Sequence, residues 1–220
     1  MDGEQGDTPR RRVTARLREL RFDAGALSLN LLATVGRRPG VPVERMGDTA
    51  RLEAWCRGVG LVPAEGQDPQ EMLRSLHALR AAAYDVASSA LDGHRPRPGS
   101  VDLVNQLARS EPPVPRLEPA AAGGWVPKDG RPLTREALLS LVARDLIDLM
   151  TDETRSSRLT ACASEACRML FLDSRGGRPR RWCSMRRCGN QAKAAGHRSR
   201  ADGLPGEPSA TTSRRPGGRG

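Results

Sequence analysis

The chain has 220 residues and a formal net charge of +10, and aromatic residues make up only 3% of it. This length predicts one or two domains, and the scarcity of aromatic side chains leaves a core of mainly Leu, Val and Ala, which suits helices. No run approaches the roughly 20 apolar residues of a membrane-spanning helix, and the polar, acidic start lacks the apolar stretch of a signal peptide. We therefore expect a cytoplasmic protein in a reducing compartment.

Both ends of the chain are rich in Gly, Pro, Ser, Thr and Arg, with little to bury, so residues 1–12 and 201–220 are predicted to be disordered. Between them we predict a mainly helical domain over residues 13–155 and a small cysteine-rich module over residues 156–200. The expected fold class is α+β, with a short β-hairpin in the helical domain and a hairpin followed by a helix in the small module.

Residues 22–35 form the first segment with core character. Their near-continuous apolar run fits either a buried strand or a buried helix, and periodicity alone does not decide between the two. Within this run Asn30 is interpreted as a core polar residue whose hydrogen bonds are satisfied.

Cap residues and apolar spacing predict the helices that follow. Four helices are predicted. The first is capped by Asp48 and ends near Gly58, and the second is capped by Asp68 and ends near Gly93. The third is capped by Ser100 and ends near Arg109, and the fourth is capped by Thr134 and ends near Asp152. On these helices Cys56 is interpreted as a small buried hydrophobe and His77 as a structural residue. The acidic side of the last helix, beginning at Asp145, is expected to be solvated or to face arginines.

A proline-rich stretch separates the last two of these helices. Prolines remove backbone donors and push the residues before them into extended conformations, so residues 111–119 are predicted not to be helical. Residues 114–117 and 125–126 flank Ala-Ala-Gly-Gly and predict a short hairpin.

Four of the five cysteines, Cys162, Cys167, Cys183 and Cys188, form two pairs with four residues inside each pair and fifteen between the pairs. Two short loops that each present two thiolates suit one tetrahedral zinc ion, and four sulfurs leave no open position, which predicts a structural site. The alternative is two disulfides, which a reducing compartment disfavours. His197, nine residues beyond Cys188, is not interpreted as a ligand.

Turn residues in the fifteen-residue spacer predict a hairpin in the zinc module. Residues 168–173 are predicted to form one strand and residues 180–183 its return, because Gly and Pro between them favour a turn. A short helix is expected after Cys188, in residues 189–200.

The segment from Trp182 to Asn190, with Ala192-Lys193 after it, resembles the CGNR zinc finger family. Gln191 stands where that family has arginine. Members of the family carry an N-terminal domain called ABATE, described as a stress-induced transcription regulator, and the Pro/Leu/Trp pattern of the predicted hairpin resembles that domain. The resemblance implies a regulator with a DNA-binding role.

Charge is distributed unevenly along the sequence. Residues 155–200 carry a net charge of +10, whereas residues 1–154 carry −1 and residues 201–220 carry +1. A GC-rich genome explains the use of arginine over lysine but not the confinement of the excess to one segment, and a compact basic patch is typical of polyanion binding. The candidate nucleic-acid contacts are Arg180, Arg181, Arg186, Arg187, Lys193, His197, Arg198 and Arg200.

The sequence contains no phosphate-binding loop, dinucleotide fingerprint or nucleophile elbow, so an enzyme is not expected. We interpret the chain as a zinc-binding transcription regulator that contacts DNA more readily than RNA, with an N-terminal domain that senses a small-molecule or protein signal or mediates assembly. The alternative is a zinc-stabilised module that docks on an acidic protein and depends on apolar residues such as Phe171 and Trp182. Oligomeric state and target sequence stay open.

Overall fold

A computed structural model describes residues 13–112, 114, 117–127, 132–173 and 179–195. The predictions for residues 1–12 and 201–220 lie outside the described residues. The helices are α1 (Ala15–Arg18), α2 (Leu27–Leu32), α3 (Thr49–Gly58), α4 (Pro69–Leu91), α5 (Pro98–Leu107), α6 (Arg135–Thr151) and α7 (Glu153–Ser156). The strands are β1 (Val35–Gly36), β2 (Val43–Glu44), β3 (Leu117–Pro119), β4 (Trp125–Pro127), β5 (Leu159–Ala161) and β6 (Leu170–Leu172).

Three of the four predicted caps are confirmed. Asp48 accepts a hydrogen bond from Arg51 N, Asp68 from Gln70 N and Thr134 from Ala137 N, so each cap satisfies a backbone donor of the first helical turn. The Ser100 cap is wrong. Helix α5 begins at Pro98, three residues before the start that a Ser100 cap predicts, because proline at the first helical position has the required φ and lacks only a donor that would be unpaired there.

The segment left open by the sequence is a short helix, α2, followed by the two-residue strand β1. Asn30 Oδ1 accepts a hydrogen bond from Ala24 N, so its polar group is satisfied. The N-terminus of α2 is capped from another helix, since Asp145 Oδ2 accepts from both the backbone N and the Oγ of Ser28, at 2.7 and 2.6 Å. The carboxylate of Asp145 is therefore not fully solvated, and because it already accepts hydrogen bonds from Ser28, it does not serve only to pair with arginines of the zinc module.

Helices α2, α4, α5 and α6 pack together to form the centre of the core. Cys56 is fully buried in it, and His77 Nε2 lies 2.8 Å from the carbonyl oxygen of Met46, which confirms both interpretations. In the part of the chain that the structure describes, each helix is too short or too polar to cross a lipid bilayer.

The hairpin β3–β4 forms close to its predicted place, with Leu117 paired to Pro127 and Pro119 to Trp125. The hairpin of the cysteine-rich module differs from the prediction. Strand β6 pairs antiparallel with β5, so its partner lies before the first cysteine pair and not at residues 180–183.

This strand pairing has a physical reason in the burial of both strands. Leu159, Leu170 and Phe171 are buried in the apolar cluster that the helices also form, so β5 and β6 are placed side by side against the helical domain. Leu172 N donates to Ala24 O at 2.8 Å, and β5 contacts α4. The helical domain and the cysteine-rich module therefore share one continuous core.

Candidate metal centre

The sulfurs of Cys162, Cys167, Cys183 and Cys188 all lie within 4.8 Å of one another. The Sγ–Sγ distances are 3.7 Å between Cys167 and Cys183 and 3.6 Å between Cys183 and Cys188. A tetrahedral zinc ion with Zn–S bonds of about 2.3 Å requires sulfurs about 3.8 Å apart, whereas a disulfide bond is about 2.05 Å long. The cluster fits one zinc ion, and the two-disulfide alternative is wrong.

The first cysteine pair is positioned by the β5–β6 hairpin. Cys162 directly follows β5, and its N–H donates to Met169 O across the loop. Ser164 O accepts from both Cys167 N and Arg168 N, and Arg168 has a φ of 49°, in the left-handed region where a tight turn can reverse the chain. This turn brings Cys167 back towards Cys162.

The second pair is positioned by one π-helical turn, Met185–Gly189, and the chain continues as α-helix through residues 190–195. Cys188 N donates to Ser184 O, and Cys183 N lies 3.4 Å from Cys162 Sγ, so the two loops interlock. A Cβ on Gly189 would lie 2.6 Å from Met185 Sδ and 3.3 Å from Trp182 Cδ1. A larger residue after the fourth cysteine would therefore have to displace the exposed end of the Met185 side chain.

Burial indicates a structural zinc site. Cys162, Cys183 and Cys188 are buried and Cys167 is half-buried, so protein covers most of the cluster. Four thiolates complete a tetrahedral shell without a position for substrate or water. A bound zinc ion would cross-link the two cysteine loops and hold the hairpin against the terminal helix.

Arg21 is a buried residue near the metal centre that the sequence did not reveal. Its Nη1 donates to Cys183 Sγ at 3.2 Å, and its Nε and Nη2 pair with Asp23 at 2.9 and 2.6 Å. Hydrogen bonds from the other thiols, above all that of Cys162, lower the pKa of Cys183, and the charge of Arg21 lowers it further. The helical domain thus supplies a partner for a thiolate, which no local motif around Arg21 could have indicated.

The structure places the predicted nucleic-acid contacts in different environments. The side chains of Arg181, Arg186 and Lys193 are exposed. Arg180 is half-buried with its guanidinium 4.3 Å from the centre of the Phe171 ring, and Arg187 donates to Arg16 O and pairs with Glu19. The remaining three, His197, Arg198 and Arg200, lie outside the described residues.

Two family models match the chain. Residues 25–153 match ABATE, described as "Putative stress-induced transcription regulator". The chain belongs to the ABATE family. Residues 158–201 match the CGNR zinc finger, which agrees with the four-cysteine cluster. No curated protein matches the sequence.

The ABATE segment and the zinc finger meet at helix α7. There Arg155 forms an ion pair with Asp145 at 3.7 Å, and Asp152 caps α7 by accepting from Thr154 N and Arg155 N. Since the buried apolar cluster contains residues from both segments, changes at the zinc site can reach the ABATE helices through packing.

Proposed function

We propose that the chain is a non-enzymatic, DNA-binding transcription regulator. In this proposal the zinc finger contacts DNA and the ABATE domain senses a signal or mediates assembly. The observation that carries it is the confinement of the net charge of +10 to residues 155–200, the segment that also holds the closed zinc site. Neutralising phosphates with such a patch releases condensed counterions, which gives affinity that depends on salt.

The exposed side chains are the best candidates for direct phosphate contact. Arg181, Arg186 and Lys193 are exposed on the second cysteine loop and the helix after it. The guanidinium of Arg181 lies 5.2 Å from the centre of the Trp182 ring. This cation–π contact restrains the arginine side chain while its N–H donors stay accessible. DNA is favoured over single-stranded RNA because, in the described part of the zinc module, one half-buried tryptophan, Trp182, offers little stacking surface.

The structure weakens the alternative of an acidic protein partner, because one of the apolar residues expected to contact that partner is buried. Phe171 is fully buried against the helical domain and beneath the Arg180 guanidinium, so it offers no apolar surface to a partner. An interaction through this module would depend on Trp182, on Met185, which is 43% exposed, and on the arginines.

The test is fluorescence anisotropy of the zinc-loaded chain with labelled duplex DNA over a salt series. We expect the logarithm of affinity to fall linearly with the logarithm of salt concentration, with a slope that shrinks by about one for each phosphate contact removed in Arg181→Gln and Arg186→Gln. Arg57→Gln is the matched control, because Arg57 is an exposed arginine on α3 of the ABATE segment.

Two outcomes would contradict the proposal. One is the absence of binding at low salt, where any phosphate-binding surface has measurable affinity. The other is an equal slope in Arg181→Gln, Arg186→Gln and the Arg57→Gln control, which would place the phosphate contacts elsewhere.

A further inference from the structure

A cavity of about 350 Å³ lies between the N-terminal segment and the zinc module. It is bounded by α1, by the β1–β2 hairpin and by both cysteine loops. Among the described residues that line it, none is Asp or Glu, and five are arginines: Arg16, Arg21, Arg37, Arg45 and Arg187. Cys167 and Cys188, two of the four zinc-binding residues, also line it, so the cavity borders the metal centre. Ser164, Gln191 and Leu17 add hydrogen-bonding groups and some apolar surface.

Two of the five arginines already have carboxylate partners outside the lining. Arg21 pairs with Asp23 at 2.6 Å and donates to Cys183 Sγ, and Arg187 pairs with Glu19 at 2.5 Å. Their charges are therefore largely compensated within the protein.

Arg45 is a buried arginine without such compensation. Its Nε donates to Leu17 O and its Nη1 to Ala33 O, both neutral carbonyls, and in the described ranges its side chain has no carboxylate partner. Gly36 makes room for it, because a Cβ there would lie 2.3 Å from Nη2. Burial, together with the charges of Arg21 and Arg187, lowers the pKa of Arg45 to about 10, so it stays charged at neutral pH.

Arg16 and Arg37 add two more charges. Arg16 Nη2 donates to Arg186 O, a neutral carbonyl, at 2.7 Å. Among the described residues the guanidinium of Arg37 has no hydrogen bond or ion pair, and its backbone is in the left-handed region with a φ of 53°. Residues other than glycine rarely adopt a positive φ, and those that do are concentrated at functional sites such as ligand-binding sites.

Compensation of the zinc centre accounts for these three arginines only in part: the Cys167 and Cys183 sulfurs attract Arg45 electrostatically, but in the described part of the chain none of the three donates a hydrogen bond to a sulfur. A zinc ion with four thiolates carries two negative charges, and Arg21 is the arginine that donates to a thiolate. Within the described part of the chain, the guanidinium groups of Arg16 and Arg45 donate to carbonyl groups, and that of Arg37 has no hydrogen-bond acceptor. Their planar N–H groups match an oxyanion, which can accept two bonds from one guanidinium.

We propose that this cavity binds a small molecule with a phosphate or carboxylate group, held by Arg16, Arg37 and Arg45. The volume lies within the range of small-molecule sites. Because Arg16 bonds to Arg186 O and accepts from Arg187 Nη1, a ligand there would contact the loop that carries the proposed DNA contacts. If the chain is the proposed regulator, such an anion is the class of signal that it senses. Only this link between the ligand and regulation rests on the proposed function.

The test is calorimetric titration of the zinc-loaded full chain, without DNA, with adenosine monophosphate, sulfate and succinate, and with adenosine as the uncharged control. We expect saturable binding of at least one anion and none of adenosine. Arg37→Gln is expected to weaken that binding at least tenfold, Arg37→Lys less, and Arg57→Gln not at all. Thermal melting of each variant separates loss of binding from loss of folding.

Several results would overturn the proposal. One is no binding of any of the three anions up to about 10 mM, tenfold above a millimolar dissociation constant. Another is equal binding in Arg37→Gln and Arg57→Gln. A third is a loss of DNA affinity in Arg37→Gln without anion binding, which would make the cavity part of the DNA surface. If an anion binds and DNA does not, the cavity proposal stands and the regulator proposal fails.

Discussion

Arg21 donates a hydrogen bond from Nη1 to Cys183 Sγ at 3.2 Å, across 162 residues of sequence. The arginine is 4% exposed, so this bond is shielded from water. It links the segment before α2 directly to a zinc-binding sulfur. The metal centre therefore depends on the helical domain for part of its electrostatic environment.

We expect Arg21→Met to weaken zinc binding by about tenfold, since outer-shell partners of metal ligands typically contribute 10–100-fold. The substitution keeps much of the side-chain volume and removes the donor to the thiolate. The measurement is competition for zinc with a chromophoric chelator at neutral pH. Arg51→Met is the control, because Arg51 donates to carbonyls of Arg45 and Arg18 away from the sulfurs. Equal zinc affinity in both variants would contradict the prediction.

Removal of zinc is expected to destabilise the whole chain and not only residues 158–201. The hairpin β5–β6 packs on α2 and α4, and the cysteine sulfurs belong to the same buried cluster as the ABATE helices. Chelator treatment should lower the melting temperature of the helical circular-dichroism signal, and Cys183→Ser should reproduce this effect.

Cys56→Ala provides the matched comparison for the cysteine variant. Cys56 is fully buried on α3 and is not part of the four-sulfur cluster, so this variant should still bind one zinc ion per chain. A helical signal that melts at the same temperature with and without zinc would contradict the shared core.

We expect Arg80→Met to cost about 2 kcal/mol of unfolding free energy, the scale of hydrogen bonds to charged groups. Arg80 is buried on α4, where its Nη1 and Nη2 donate to the two oxygens of Glu44, at 2.8 and 2.6 Å, and Nη1 also donates to Thr34 Oγ1. Denaturant unfolding measures the change. A variant as stable as the original chain would show that the pair makes no net contribution.

The same ion pair predicts a pH dependence. Burial raises the pKa of Glu44, but hydrogen bonds from Arg80 and from Met46 N outweigh burial, and the net pKa is lowered. A carboxyl whose pKa is lower in the folded state contributes stability that is present above its unfolded pKa of about 4.3 and is lost as pH falls through the folded value. Arg80→Met should therefore flatten the loss of stability in acid. An unchanged acid profile would argue against this assignment.

Gly189→Ala is expected to destabilise the zinc module by less than about 1 kcal/mol, below the usual cost of overpacking a core, because Met185 is 43% exposed and its clashing end can move. The added Cβ would lie 2.6 Å from Met185 Sδ, and the methionine side chain would have to move. The double variant Gly189→Ala/Met185→Ala should regain part of the loss, as measured by thermal melting of the zinc-loaded chain. Equal destabilisation in the single and double variants would place the strain elsewhere.

Local chemistry determined much of this protein from its sequence. The spacing of the four cysteines specified a closed zinc site, because two short loops with two sulfurs each suit a tetrahedral ion. Asp48, Asp68 and Thr134 specified helix starts, because a cap acts on backbone donors within its own turn. The family resemblance rested on the same kind of contiguous signal, the residues around Cys188.

The tertiary structure alone decided the relationships between distant segments. The partner of β6 is β5 because burial against α2 and α4 outweighs turn preference. Arg187, which reads as a free basic residue, is paired with Glu19, and Asp145 caps α2 from another helix. Arg16, Arg37 and Arg45 come from a segment of nearly neutral net charge, so their convergence on the zinc module follows from packing that no local pattern encodes.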